Sequence, residues 1–406
     1  MRCDSRQRNA LVGLLTPFGW TIVGQIPNGS FCTALPNQIT WIRRHACIRH
    51  AEPLKILLEQ FLNADPLTVQ ATNAKVTVEE RIALKTMEDS LRFNGTRYEI
   101  GLLWKSADIF LPNNREGALK RFFATERRLL PIPSMKAFYS RAIQQYIEEG
   151  HARKLTHSEL NGPPGRTWYL PHHAVEHPWK PGHYRIVFDA SAPYAGLSLN
   201  DCLLKGLDYL ANLVGVLLRL GQNHVPVLAD IQRMYHQVLV SPKDRSALQF
   251  LWREPGTRGP PETYEMLVHV FGASSSPSVC MFSIRRAAMD RNSVWPGLAD
   301  RVISNMYVDN WLDSFETDSE AIHVSSMMKG MLASAGFNLR RWASTSRVLL
   351  GEVAAECPGS GHVRIFQGQL PMETALGMKW DCETDCFQFD FPKNRTWKPM
   401  KRKMLV

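Results

Sequence analysis

The stretch Ser304-Asn-Met-Tyr-Val-Asp-Asn-Trp-Leu-Asp-Ser-Phe315 constrains the fold more than any other part of the chain. An apolar run (Val302, Ile303, Met306, Tyr307, Val308) leads into an acidic turn, and Trp311, Leu312 and Phe315 lead away. That pattern predicts a β-hairpin with Asp309 and Asn310 at its tip. A carboxylate on a buried hairpin is costly unless a cation or polar partner lies beside it. Asp-Asn pairs also close many solvated turns, because both residues tolerate left-handed backbone. The tip therefore acquires chemical meaning only from the rest of the chain.

With 406 residues the chain is long enough for about two or three domains and a large core. Lys and Arg number 48 against 38 acidic residues, a net charge of +10. This balance suits a polyanion partner, although solvated basic faces give the same count. The basic residues gather at Arg43 to His50, Arg115 to Arg128, His151 to Arg166 and Lys393 to Lys403. Phe122, Phe123, Trp168 and Trp397 interleave with them, as base stacking or simple packing would require. Eight cysteines are scattered without a C-x-x-C pair, and His45-Ala-Cys-Ile-Arg-His50 lacks a second ligand pair at zinc-finger spacing. No apolar span of about eighteen residues is present. These features predict a soluble, cytoplasmic protein with reduced thiols and no membrane partner.

Residues 53–160 read as mainly helical, interrupted at Pro66, Pro112, Pro131 and Pro133. Leu119, Phe122, Phe123, Arg127 and Leu130 recur there at helical spacing. From Thr167 short strands alternate with helices. Arg185 to Ser191 and Val225 to Ile231 read as strands, and Tyr264, Met266, Val268 and Val270 as the inner face of a half-buried one. Residues 208–220 carry Leu210, Leu213, Val214, Leu217 and Leu220 at helical spacing before Gly221. Helices are also expected from about Val279 to Asp290 and across Val324 to Leu332, the latter capped by Gly336. The order is that of an α+β layered domain.

Three segments carry the chemistry. Asp230 emerges from an apolar strand, and Tyr235 follows five residues later. Nucleotide polymerisation needs two divalent cations about 4 Å apart, and carboxylates supply the hard oxygen ligands Mg²⁺ prefers. Asp230 with Asp309 fits that requirement. Val270-Phe-Gly-Ala-Ser-Ser-Ser-Pro277 has Gly272 for close backbone approach and Ser276-Pro277 to start a helix. It reads either as a nucleotide floor or as an ordinary loop before a helix. In Tyr184-Arg-Ile-Val-Phe-Asp-Ala-Ser191, Arg185 suits bidentate contact with phosphate oxygens, or else pairs structurally with Asp189.

Taken together and in this order, these segments resemble the reverse transcriptase of Pao/BEL-type long-terminal-repeat retrotransposons. Tyr-x-Asp-Asp at a hairpin tip is the metal-binding signature of such enzymes; here the fourth position is Asn310. Arg97-Tyr-Glu-Ile-Gly-Leu-Leu-Trp-Lys105, Leu111-Pro-Asn-Asn-Arg115 and Trp168-Tyr-Leu-Pro-His-His173 look like the family's upstream region. Gly196-Leu-Ser-Leu-Asn-Asp201, Gly336-Phe-Asn-Leu-Arg-Arg-Trp-Ala-Ser344 and Leu376-Gly-Met-Lys-Trp380 look like fingers, late-palm and primer-grip segments. The likeness covers roughly residues 55–390. Residues 12–26 resemble the tail of the family's aspartic protease, without an Asp-Thr-Gly or Asp-Ser-Gly motif.

The resemblance implies a right-hand polymerase with fingers and palm, a helical N-terminal region and an incomplete thumb. The implied divisions are 1–52 (protease tail), 53–160 (helical connector), 161–350 (fingers and palm) and 351–406 (end of palm and start of later Pol segments). Asp230 and Asp309 would bind Mg²⁺ or Mn²⁺, with the Ile231 carbonyl as a further ligand, and Asn310 would stand at the second catalytic position. Tyr235 would gate the sugar, Arg185 would touch the triphosphate, and Gly272 with Ser276 would shape the nucleotide floor. Arg341 would stand near the position where the family's late-palm lysine is expected to assist pyrophosphate departure. Asp313 would point too far from the tip to replace the missing aspartate. Implied partners are an RNA or DNA template with primer, deoxynucleoside triphosphates and other Pol segments, in the cytoplasm or in virus-like particles. Asn310 and the short C-terminal end equally fit a decayed relic that at most binds nucleic acid. A hydrolase built on Ser274 to Ser276 lacks a G-x-S-x-G elbow.

Overall fold

The computed structural model describes residues 76–160, 162–176, 182, 184–356, 370 and 378–388, and the backbone of strands at 12–16, 19–23, 40–42 and 372–375. The chain divides into two compact units, Met1–Ile42 with Met372–Val406, and Arg43–Pro371. In the smaller unit Val12–Thr16 and Gly19–Val23 form an antiparallel hairpin. A separate antiparallel sheet runs in the order Met372–Ala375, Met378–Asp381, Cys386–Gln388, Thr40–Ile42. Trp380 is buried there, its indole N–H donating to Asp385 at 3.0 Å. This sheet pairs segments from the two ends of the sequence. His45, Cys47, His50, the basic runs 43–50 and 393–403, and the helical expectation over 53–75 lie outside the described residues.

The larger unit is α+β and holds two apolar cores. The first surrounds an antiparallel sheet in the order Met306–Tyr307, Asn310–Phe315, Val225–Ile231, Leu339–Ser344. Val225–Ile231 lies between two neighbours, and all its residues except Asp230 are buried, as its near-continuous apolar sequence requires. Val227, Ala229, Trp311 and Phe315 share a core with Val279 and Ile284 of helix Ser276–Asp290, Met328 and Met331 of Asp318–Ala333, and Leu349 of Arg347–Glu356. Ala83 and Met87 of helix Val78–Ser90 join the same core.

The second core lies among helices Arg115–Leu129 and Pro133–Glu148, the sheet Gln249–Trp252, Glu262–Met266, Ala152–Lys154, and the hairpin His172–Glu176 with Tyr184–Phe188. Pro133 opens its helix at the first turn, where its missing N–H is harmless. The buried stripe of Arg115–Leu129 is Ala118, Phe122, Glu126 and Leu129, whereas Phe123 and Leu130 are exposed. Glu126 can be buried because Arg253 grips both its oxygens, at 3.0 and 2.7 Å. Phe122 and Trp168, interleaved with basic residues, are core side chains rather than stacking platforms. Part of the described basic runs is paired: Lys120 with Glu116, Arg121 with Asp189, Arg153 with Glu159 and Glu265, Lys154 with Glu262.

Three local expectations change. The helix over 208–220 shortens to Leu213–Leu220, because the Asn212 side chain caps it by accepting the Gly215 N–H at 2.9 Å. Val302 and Ile303 belong to helix Leu298–Asn305, where Leu298, Val302 and Asn305 are buried at helical spacing, and only Met306–Tyr307 remains as the incoming strand. Glu262–Met266 is covered on both faces: Thr263 and Glu265 are buried beside Tyr264 and Met266, with Arg153 donating to Glu265 at 2.8 Å. No described helix is long and apolar enough to cross a membrane.

Candidate active site

The hairpin turn consists of two residues, Val308 and Asp309, closed by the pair Tyr307 and Asn310. Asn310 is therefore the first residue of the outgoing strand rather than part of the tip. Val308 has φ +54, a left-handed conformation that a β-branched side chain rarely takes. Such strain costs about 1–3 kcal/mol and persists where the surroundings dictate it. Here the Ile231 N–H donates to the Asp309 carbonyl oxygen at 2.7 Å, fastening the tip to the end of the central strand.

Register brings the acidic residues together. Asn310 lies directly opposite Asp230 on the neighbouring strand, so their side chains leave the same face of the sheet. Asp309 is one residue away, and its Oδ1 accepts from Asn310 Nδ2 at 3.0 Å. Burial raises the Asp309 carboxyl above its ordinary range, opposed by a backbone hydrogen bond and by the Arg341 charge. A carboxylate whose charged form is disfavoured by burial gains from a cation beside it. Arg341 Nη1 lies 3.5 Å from Asp230 Oδ2. Ile231 ends the central strand with its side chain buried.

The residues expected at a nucleotide floor also converge. Gly272 has φ +123, and a Cβ there would stand 2.1 Å from the Phe188 carbonyl oxygen. Only glycine lets this loop lie against the strand that carries Arg185. Phe271, 48 % exposed, sits with the Arg185 guanidinium 5.5 Å from its ring centre and the Tyr235 ring 5.6 Å away. Tyr235 belongs to the short 3₁₀ turn Met234–Gln237 after the central strand. Burial pushes its phenol up to about 12, with smaller contributions from Cys280 and Asp309. Asp189 is bound by Arg121 at 2.8 Å, so it is not the partner of Arg185. Ser276 is buried and its hydroxyl donates to the Val270 carbonyl at 2.8 Å. It shapes the loop from beneath.

Asp313 is buried and accepts from Arg301 Nη1 at 2.7 Å, three residues beyond Asn310 and committed to another partner. Sequence reasoning gave no role to Phe271 or Asn200. Asn200 Nδ2 donates to the Gly272 carbonyl at 3.0 Å and to Ser191 Oγ at 2.8 Å, while its Oδ1 accepts the Ser274 N–H at 2.8 Å. It joins the Arg185 segment to the Gly272 loop across 72 residues, a link no local pattern reveals.

The donor set suits a hard divalent cation: one aspartate near the end of a strand and one in the adjoining hairpin turn, with an amide oxygen and a strand-end carbonyl nearby. It does not form a ready cage. Among the described residues no group of three or more His, Cys, Asp or Glu converges to hold a metal.

No family model matches this chain, and no curated protein does. Among solved structures, the chain is similar to a foamy viral protease-reverse transcriptase in complex with RNA/DNA hybrid, at 14 % identity and a TM-score of 0.39, over 71 % of this chain and 32 % of that one. A second, the foamy viral protease-reverse transcriptase dRH in complex with double-stranded DNA, has 15 % identity and a TM-score of 0.36, over 58 % of this chain and 33 % of the other. The chain spans about a third of the length of these solved chains.

Proposed function

We propose that this chain carries an RNA-directed DNA polymerase domain of the Pao/BEL retrotransposon type, extending a primer 3′ end on an RNA or DNA template. The observation that carries the reading is the register of the sheet, which sets Asp230 opposite Asn310 and beside Asp309, next to the row Arg185, Phe271 and Tyr235. In this reading Asp230 and Asp309 hold Mg²⁺ or Mn²⁺, helped by the Ile231 carbonyl. When bound, the cations activate the primer hydroxyl and clamp the triphosphate. Arg185 meets the triphosphate oxygens of the incoming deoxynucleotide. The Tyr235 ring underlies the sugar and excludes a 2′ hydroxyl, on a floor that Gly272 makes possible. Asn310 keeps the turn but supplies an amide in place of a carboxylate. Other Pol segments are the proposed partners, and the cytoplasm or a virus-like particle the proposed location.

Single-turnover extension of poly(rA)/oligo(dT) tests the reading. The native chain and Asn310→Asp extend the primer, the latter faster, and Asp230→Ala does not. If Asp230→Ala extends as well as the native chain, the assignment is wrong. A second reading, a silent nucleic-acid-binding relic, is favoured by the amide that Asn310 donates to Asp309. It predicts extension by Asn310→Asp alone.

A further inference from the structure

The edge strand Leu339–Ser344 is irregular beside the carboxylates. Its register passes from Arg340 opposite Asp230 to Ala343 opposite Leu228, three steps against two. The extra residue makes a β-bulge, a device that re-aims side chains near functional sites. Arg341 stands at the bulge with φ +52. Trp342 anchors it from beneath: it is buried, and its ring meets Trp311 edge-on at 5.9 Å. Trp311 is the residue after Asn310, so the bulge and the hairpin are braced on each other. With Trp342 turned inward, the Arg341 side chain is 65 % exposed and reaches Asp230 Oδ2. An ordinary exposed ion pair does not offset the strain of a left-handed arginine.

We propose that Arg341 is a tethered counter-cation for Asp230 and Asp309, which flanks them in the metal-free protein and sets how tightly a divalent cation binds. This rests on the metal-binding part of the polymerase reading. Arg341 by itself offsets half the charge of the two carboxylates. Asp309 is further occupied by the Asn310 amide at 3.0 Å, and Asp230 by Arg341 at 3.5 Å. An incoming dication must compete with both contacts. Arg340, the cross-strand neighbour of Asp230, adds a second positive charge to the same flank. The bulge places Arg341 where it can withdraw into solvent without disturbing Trp342.

The test is Mn²⁺ binding to the whole chain without nucleic acid, read by electron paramagnetic resonance. The variants are Arg341→Gln, Arg341→Lys and Asp230→Asn. Arg341→Gln removes the charge while leaving a polar side chain, so Mn²⁺ binds about tenfold more tightly than to the native chain, a gain that shrinks at high salt. Arg341→Lys stays within about twofold of the native affinity, because the charge is retained. Mn²⁺ detected on Arg341→Gln but not on the native chain also supports the proposal. Equal or weaker binding to Arg341→Gln overturns it and leaves the metal site standing, provided Asp230→Asn abolishes binding. Binding indifferent to Asp230→Asn, or absent from every variant, overturns the metal site itself and the proposal with it.

Discussion

The two cores of the larger unit differ in where buried charge and backbone strain gather. The core formed by Arg115–Leu129, Pro133–Glu148 and the Gln249–Trp252 sheet contains several buried polar side chains gripped by protein partners. Arg253 holds Glu126, Asn114 exchanges two 2.8 Å hydrogen bonds with the Tyr169 backbone, and His172 is held between the Tyr139 hydroxyl and the Leu251 carbonyl. In the core around the Asp309 sheet, polar groups and strain collect at one end. Arg233, Val308 and Arg341 all adopt left-handed backbone, and Asp309 is raised by burial. Matched polar groups stabilise; strained backbone beside a buried charge makes the Asp309 end of the sheet the candidate functional site.

The largest effect expected on this contrast comes from the loop joining the two regions. Gly272→Ala forces a Cβ against the Phe188 carbonyl in a backbone region reserved for glycine, at about 4 kcal/mol. Urea denaturation measures the loss, and primer extension falls with it because Arg185 and Tyr235 no longer share Phe271.

Glu126→Ala separates the regions. It leaves Arg253 half-buried without its carboxylate and destabilises by about 3 kcal/mol. Hydrogen exchange then rises in Arg115–Leu129 and Gln249–Trp252, while the Tyr307 to Trp311 amides exchange at their native rate. Equal acceleration at the hairpin would show that the two cores unfold as one.

A smaller effect follows from buried imidazoles. Burial pushes His172 and His269 down to about 4 from the usual 6.5. Both are neutral in the folded chain, whereas the unfolded chain takes up their protons below about 6.5. Their contribution is therefore complete above 6.5 and lost as pH falls towards 4, with on the order of 2 kcal/mol each lost by pH 5. Urea titrations at pH 7 and pH 5 measure the change, with Trp252, stacked on Tyr139 beside His172, as the local fluorophore. A flat pH profile would refute the assignment.

Much of the site was legible because its parts are local. Asp230 at the end of an apolar strand, the hairpin near Asp309 and the glycine of the Phe271 loop each announce themselves within about ten residues. The helix at 298–305 was misread because apolar Val302 and Ile303 fit either period when their buried partner Asn305 is polar. The stripe of Arg115–Leu129 was misplaced because Glu126 is buried through Arg253, 127 residues away. Phe271 and Asn200 escaped notice because neither is unusual until the Arg185 strand lies beside it.

By itself the sequence determined the α+β class, the central strand, the acidic hairpin and the candidate carboxylates, since apolar periodicity and turn chemistry are properties of short segments. Only the tertiary structure decided that Asn310 leaves the tip and faces Asp230, that Val308 bears the strain of the turn, and that a bulge turns Arg341 onto the carboxylates. Strand register and the reach of a long side chain depend on which distant surfaces pack together, and no local pattern carries that information.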